Sequence, residues 1–111
     1  MNELSERLKY SRKLVGKYPD CVPVVIRKCP TDKNVKQIEK EKYLIPKNLT
    51  ISEIVYIIRK HIQLKPEQAI FVFVNNGVLL PSNQIISETY DLYKAADEIL
   101  YITYRSENTF G

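Results

Sequence analysis

The stretch from Thr50 to Gly77 restricts the fold more than any other part of the chain. Thr50 and Glu53 have the spacing of a capping box: the hydroxyl takes a free amide at a helix start, and the carboxylate reaches back to the cap's own amide. Ile51, Ile54, Val55, Ile58 and Ile62 then follow the spacing of one helical stripe, so the helix buries one face. Ile57 falls off that stripe beside Tyr56 and is a candidate exposed apolar contact. Residues 69–74 (AIFVFV) form a nearly unbroken apolar run of strand length, which reads as a central strand covered on at least one face. Asn75, Asn76 and Gly77 tolerate positive φ and mark a hairpin turn. A brief return over 78–80 stops at Pro81.

The flanking segments complete the pattern. Residues 3–16 read as a basic amphipathic helix, with Leu4, Leu8, Leu14 and Val15 in a loose apolar stripe and Arg7, Lys9, Arg12 and Lys13 outside it. Gly16, with Pro19 soon after, is expected to stop it. Residues 21–28 alternate as a strand; Pro23 donates no amide hydrogen and suits an edge or a helix-covered position. A polar loop spans 30–37. The short strand 42–46 (KYLIP) turns Tyr43 and Ile45 one way and Lys42 and Leu44 the other, so both faces carry apolar groups, which hints at exposed binding surface. Ser82 or Asn83 is expected to cap a short helix through Tyr93, and 99–104 is the last strand. Two early strands, a crossing helix and two later strands point to an α+β fold of the β-grasp kind. A ferredoxin-like split unit fits the short 78–93 region poorly.

Composition narrows the chemistry. The 111 residues suit one domain. Three glycines leave no Gly-rich phosphate loop, and the single histidine excludes a two-histidine metal site. No cofactor is expected. A net charge of +4 favours acidic partners or simply a well-solvated basic surface. No basic run is interleaved with aromatics, so nucleic acid is not expected as a partner. Cys21 and Cys29 would stand on one face of a continuous strand, too far apart to bridge, and free thiols fit a reducing compartment. With no signal-like or membrane-length segment, a cytosolic chain, or one held on a membrane only by attachment, is expected. His61 reads as a surface residue at a helix end, and Asp91, Asp97 and Glu98 read as solvated charges. No nucleophile, base and orienting partner are nominated together, so no enzyme is expected. The polar tail ends in Gly111, whose carboxylate has no side chain beside it. From the residues alone, an ordinary frayed end is the favoured reading over a reactive terminus.

Tyr43-Leu44-Ile45-Pro46, Leu49-Thr50, residues 55–60 (VYIIRK), residues 69–75 (AIFVFVN), residues 100–104 (LYITY) and the closing Glu107-Asn108-Thr109-Phe110-Gly111 resemble the autophagy ubiquitin-like modifiers. That family includes microtubule-associated protein light chain 3 and the GABA-receptor-associated protein. The likeness runs from about Lys17 to Gly111. It implies a ubiquitin-like β-grasp with a mixed four-stranded sheet: residues 1–17 a helical extension, 18–105 the core and 106–111 a flexible tail. It further implies that Gly111 is activated by a ubiquitin-like cascade and joined covalently to phosphatidylethanolamine on autophagosomal membranes. Activating and conjugating enzymes and a delipidating cysteine protease are then partners, with Phe71, Phe73 and Phe110 contacting the machinery.

The resemblance implies peptide capture as well. Cargo receptors and adaptors would add a strand carrying an aromatic-x-x-aliphatic motif beside 42–46. The implied aromatic pocket is Leu14, Pro23, Val25, Lys42, Leu44 and Ile99. The implied aliphatic pocket is Tyr43, Ile45, Pro46, Leu49, Ile54 and Ile57. Lys40, Lys42 and Arg59 would meet flanking acids. A peptide-binding module without conjugation is the alternative. Where the family usually has an acid, a base and an aromatic, this chain has Arg12, Cys21 and Ile99.

Overall fold

The computed structural model describes residues 2–107. Among these the elements run α1 (Glu3–Lys17), β1 (Cys21–Lys28), β2 (Lys42–Pro46), α2 (Ile51–Ile62), β3 (Ile70–Val74), β4 (Val78–Leu79), α3 (Ile86–Tyr93) and β5 (Leu100–Ser106). The sheet has order β2-β1-β5-β3-β4, with β1 and β5 parallel at its centre and the other pairs antiparallel. It holds five strands rather than four. The extra one is the two-residue return after the turn, where Val74 pairs with Val78 and Phe73 with Leu79. Asn75, Asn76 and Gly77 make that turn at φ 48°, 59° and 126°.

Alternation explains which side is dry. Val22, Val24 and Ile26 of β1, Ile70, Val72 and Val74 of β3, and Leu100, Ile102 and Tyr104 of β5 face one way. They meet Ile51, Ile54, Ile58 and Ile62 of α2 in one core. Thr50 caps α2 as the full box, its hydroxyl accepting from the Glu53 amide while the Glu53 carboxylate accepts from the Thr50 amide. The next amides of α2 go to a neighbouring segment: Ile51 N–H donates to Gln84 O and Ser52 N–H to Ser82 O, both at 2.9 Å. Thr50→Ala is expected to cost about 1 kcal/mol, read as a shift of the urea unfolding midpoint with unchanged slope.

That pairing shortens α3. Residues 82–85 are committed to the start of α2, with a bridge from Thr50 to Ile85. The helix therefore begins at Ile86 behind Ile85, which makes no side-chain cap, and neither Ser82 nor Asn83 caps it. Gly16 does not stop α1, which runs on to Lys17 with Tyr18 as its C-cap ahead of Pro19. Cys29 lies one residue past β1; both cysteines are free. β5 begins at Leu100 and continues through Ser106, beyond the expected end. The extension pairs with β3, Arg105 opposite Phe71 and Ser106 opposite Ile70, and the Asp32 carboxylate accepts the Ser106 amide at 2.6 Å. Glu107 N–H then donates to Ala69 O at 2.9 Å. Burial alone would raise the Asp32 carboxyl, but the amides of Ser106 and Asn34 hold it below its ordinary value.

Pro23 sits inside the sheet, not at an edge. Ile26 N–H donates to Glu41 O, on the β2 side, and Cys29 N–H donates to Tyr104 O, on the β5 side. By parity the missing Pro23 amide points toward β5. The β5 ladder starts only at Val24, opposite Leu100, so no bond is lost. α1 covers this face of β1.

Candidate functional site

β2 is a terminal strand with no neighbour on its outer side among the described residues. Ile26 N–H to Glu41 O at 2.8 Å and Lys47 N–H to Asp20 O at 2.9 Å fix its register on β1. Residues 41, 43, 45 and 47 thus turn their backbone groups inward. Lys42 and Leu44 turn theirs outward, and so does Pro46, which has no amide hydrogen to lose. The open edge therefore offers N–H and C=O from Lys42 and Leu44 to an added strand.

A cavity of about 560 Å³ opens beside that edge. Leu14, Pro23, Val25, Lys42, Leu44 and Ile99, the six residues expected to form the aromatic pocket, all line it. Leu44 lies directly across from Pro23 in the β1–β2 register. Arg7 and Tyr10 of α1, Arg27, Lys40, Tyr43 and Tyr101 also line it; none of them was expected in this pocket, Tyr43 being expected in the aliphatic pocket and Lys40 at the flanking acids. Arg7 and Tyr10 recur at helical spacing with Leu14 and could have been found by asking which side of α1 carries mixed rather than apolar groups.

The reason they were missed is Ser11 and Asp97. Ser11, at the middle of the α1 face that packs inward, is fully buried and donates to the carbonyl of Asp97 at 2.6 Å. Leu4, expected in the apolar stripe of α1, is 40% exposed. Asp97 is not solvated but 3% exposed. Its carboxylate accepts from Arg7 Nε at 3.0 Å, from the Ile99 amide at 3.0 Å and from the Tyr101 hydroxyl. Burial, and then the bond to Asp97, pushes the Tyr101 hydroxyl above its ordinary value. Glu98 follows at φ 59°, a conformation L-residues rarely adopt. Its carbonyl accepts from the Tyr90 hydroxyl at 2.6 Å. Its carboxylate meets Arg12 Nε at 3.1 Å, and Arg12 holds it below the usual range. These bonds clamp α1 to the loop before β5 and so set the cavity wall.

The other expected sites fare differently. Ile45 and Ile54 are 3% and 0% exposed and belong to the core, so at most they form a floor. Alternation on β2 and the stripe on α2 send both inward. Tyr43 and Leu49 pack against that core half-buried, Ile57 is half-buried rather than exposed, and Pro46 is exposed. Tyr43 meets His61 edge-on at 6.0 Å, and its hydroxyl is buried without a partner among the described residues. Arg59 does not line the cavity with Lys40 and Lys42. Its guanidinium holds the loop after α2, donating to Gln68 O and, at 3.0 Å, to Lys65 O. Phe71 and Phe73 point away from the core on β3, far across the sheet from β2. Phe71 is 39% exposed, and Arg105 stacks over Phe73 at 5.0 Å. Phe110 and Gly111 lie outside the described residues.

Comparison with known proteins adds the lineage. A family model described as "Autophagy protein Atg8 ubiquitin like" matches residues 6–111. Autophagy-related protein 8e of Arabidopsis thaliana is 44% identical over 110 residues, spanning 99% of this chain and 88% of that one. Autophagy-related protein 8 of Schizosaccharomyces pombe is 45% identical over 107 residues, spanning 96% and 86%. Among solved structures, the crystal structure of Trypanosoma brucei ATG8 superposes with a TM-score of 0.89 at 32% identity, over 99% of this chain and 93% of that one. With this sheet, this helical cover and matches along almost its whole length, the chain belongs to the Atg8 family of ubiquitin-like autophagy proteins.

Proposed function

We propose that this chain is a ubiquitin-like modifier and adaptor of autophagy, not an enzyme. Its Gly111 carboxylate is joined to phosphatidylethanolamine, and its β2 edge captures aromatic-x-x-aliphatic segments of cargo receptors. Activating and conjugating enzymes load the glycine, and a delipidating cysteine protease releases it. The protein then divides between cytoplasm and autophagosomal membrane. No helix of the described residues is long and apolar enough to cross a bilayer, so a durable hold on the membrane needs the attached lipid.

The observation that carries the adaptor half is the open β2 edge with the cavity beside it. An added strand pairs with the outward groups of Lys42 and Leu44 and lays its aromatic residue into the cavity. Affinity comes from backbone pairing, and specificity from what the cavity accepts.

Leu44→Pro tests this. It removes the outward amide while sparing the β1 ladder, in which that amide takes no part. Binding of such a peptide is expected to fall by about a hundredfold, the combined loss of a backbone bond and of Leu44 packing. Fluorescence anisotropy reads the affinity, and a retained amide spectrum of β1 and β5 shows that the sheet is intact. Unchanged affinity in a folded variant would place the peptide elsewhere.

A further inference from the structure

The stretch that leads to Gly111 has a built root. β1 ends at Lys28, and Pro30 turns the chain out of the sheet, with Asp32 N–H closing the turn on Cys29 O at 3.1 Å. β5 outlasts β1 on this side. Cys29 N–H donates to Tyr104 O at 2.8 Å. Two residues on, a continued parallel ladder would bring Ser106 N–H to Cys29 O. That carbonyl is taken by the turn, and the Asp32 carboxylate stands where the strand would have been, accepting the Ser106 amide at 2.6 Å. Ser106 is 7% exposed, so its amide needs such an acceptor.

The carboxylate is itself held in place. Its other oxygen accepts from the Asn34 amide at 2.8 Å, and the Lys28 ammonium donates to the Asp32 carbonyl. On the β3 side, Glu107 N–H donates to Ala69 O at 2.9 Å. The chain is thus gripped from both sides at Ser106 and Glu107. Four residues complete the chain beyond Glu107, and four residues span at most about 14 Å. Where the root sits therefore bounds where the Gly111 carboxylate can reach.

We propose that Asp32 is a positioning residue for Gly111: by holding Ser106 it fixes where the tail leaves the sheet, and so sets how fast the carboxylate is loaded onto an activating enzyme. The proposal deepens the conjugation reading and rests on it. Loading joins the Gly111 carboxylate to an enzyme cysteine as a thioester, with ATP cleaved to AMP and pyrophosphate. Without the carboxylate, the Glu107–Ala69 bond is the last at the root among the described residues. Fraying there lengthens the free segment from four residues to six, and the volume open to Gly111 grows about threefold. Its effective concentration at the enzyme cysteine falls in step, and lost orientation adds to that.

The test uses the full chain, the cognate activating enzyme and ATP, with thioester formation followed against chain concentration. Asp32→Ala is expected to lower kcat about threefold to tenfold and to leave KM unchanged. In the same variant, exchange of the Ser106 and Glu107 amides should speed up while the amide spectrum of β1 and β3 stays native, which shows that the sheet is folded. Asp32→Asn keeps one acceptor oxygen for two amides and should fall between alanine and the native chain. Thr31→Ala removes the neighbouring contact with the Cys29 thiol and spares the carboxylate, so it should load like the native chain. A native kcat in Asp32→Ala with faster exchange would overturn the proposal, because a loose root would then not slow loading. Unchanged exchange would overturn it as well, because the carboxylate would not be what holds the root. An equal loss of kcat in Thr31→Ala would assign the effect to the loop at large and overturn it, and so would a loss confined to KM. Failure of the native chain itself to load would remove the conjugation reading and the proposal with it.

Discussion

Asp97→Ala is expected to lower stability by about 2–4 kcal/mol and to loosen α1 from the sheet. The loss comes from donors left without an acceptor. The Ile99 amide, on a residue 6% exposed, loses its only named side-chain partner, and the Tyr101 hydroxyl loses its own. Arg7 adds little to this sum, since its half-exposed side chain turns to water. Ser11 still reaches the backbone carbonyl of residue 97, so α1 is expected to loosen rather than unfold.

Two measurements follow that loosening. Amide hydrogen exchange over Glu3–Lys17 should speed up more than exchange in α2. Affinity for an edge-binding peptide should also fall, because Arg7, Tyr10 and Leu14 no longer hold one wall of the cavity. Asp97→Asn keeps an acceptor for the Ile99 amide and should restore most of the stability. If alanine at 97 leaves both exchange and affinity unchanged, the clamp does not set the wall.

Strong periodic signals made most of the fold legible. The Thr50–Glu53 box, the isoleucine stripe and the Asn-Asn-Gly turn each name one local structure. β1 and β2 begin and end where their alternation says. What stayed hidden depends on contacts distant in sequence. Nothing near Ile86 says that residues 82–85 are taken up by the start of α2. Ile38 lies in a polar loop yet is 1% exposed, since its amide donates to the Tyr104 hydroxyl and its side chain enters the core. Gln63 ends α2 in the left-handed region without the glycine that usually marks such an end. β5 outruns its apolar pattern because Arg105 and Ser106 pair with Phe71 and Ile70 of β3, and Asp32, from another loop, accepts the Ser106 amide.

The same division holds for the site. Family likeness brought together the six residues of one cavity, which spacing alone could not do, because they come from α1, β1, β2 and the approach to β5. It did not reveal that Ile45 and Ile54 are spent on the core, that Arg59 is spent on a loop, or that Asp97 is a buried acceptor. An acid next to Glu98 and Ala96 looks solvated until the helix that covers it is placed. Burial of a charge is decided by its partners, and here Arg7 and Tyr101 come from separate elements.

The membrane half depends on Gly111. A glycine carboxylate can pass through a narrow enzyme channel and accept an amine without a side chain in the way. In the proposed function, an amide to a two-chain lipid would hold the protein on the bilayer, each buried methylene contributing about 0.8 kcal/mol. Any side chain at this position should therefore block loading, and removal of the residue should do the same. The direct measurement is reconstitution with cognate activating and conjugating enzymes, ATP and vesicles containing phosphatidylethanolamine, read by intact mass. One adduct is expected, heavier by one phospholipid less one water and located on Gly111, and it should vanish completely in Gly111→Ala and in the chain lacking Gly111. A chain that stays unmodified while a relative is conjugated by its own enzymes in parallel, or an adduct that survives loss of Gly111, would contradict the proposed conjugation.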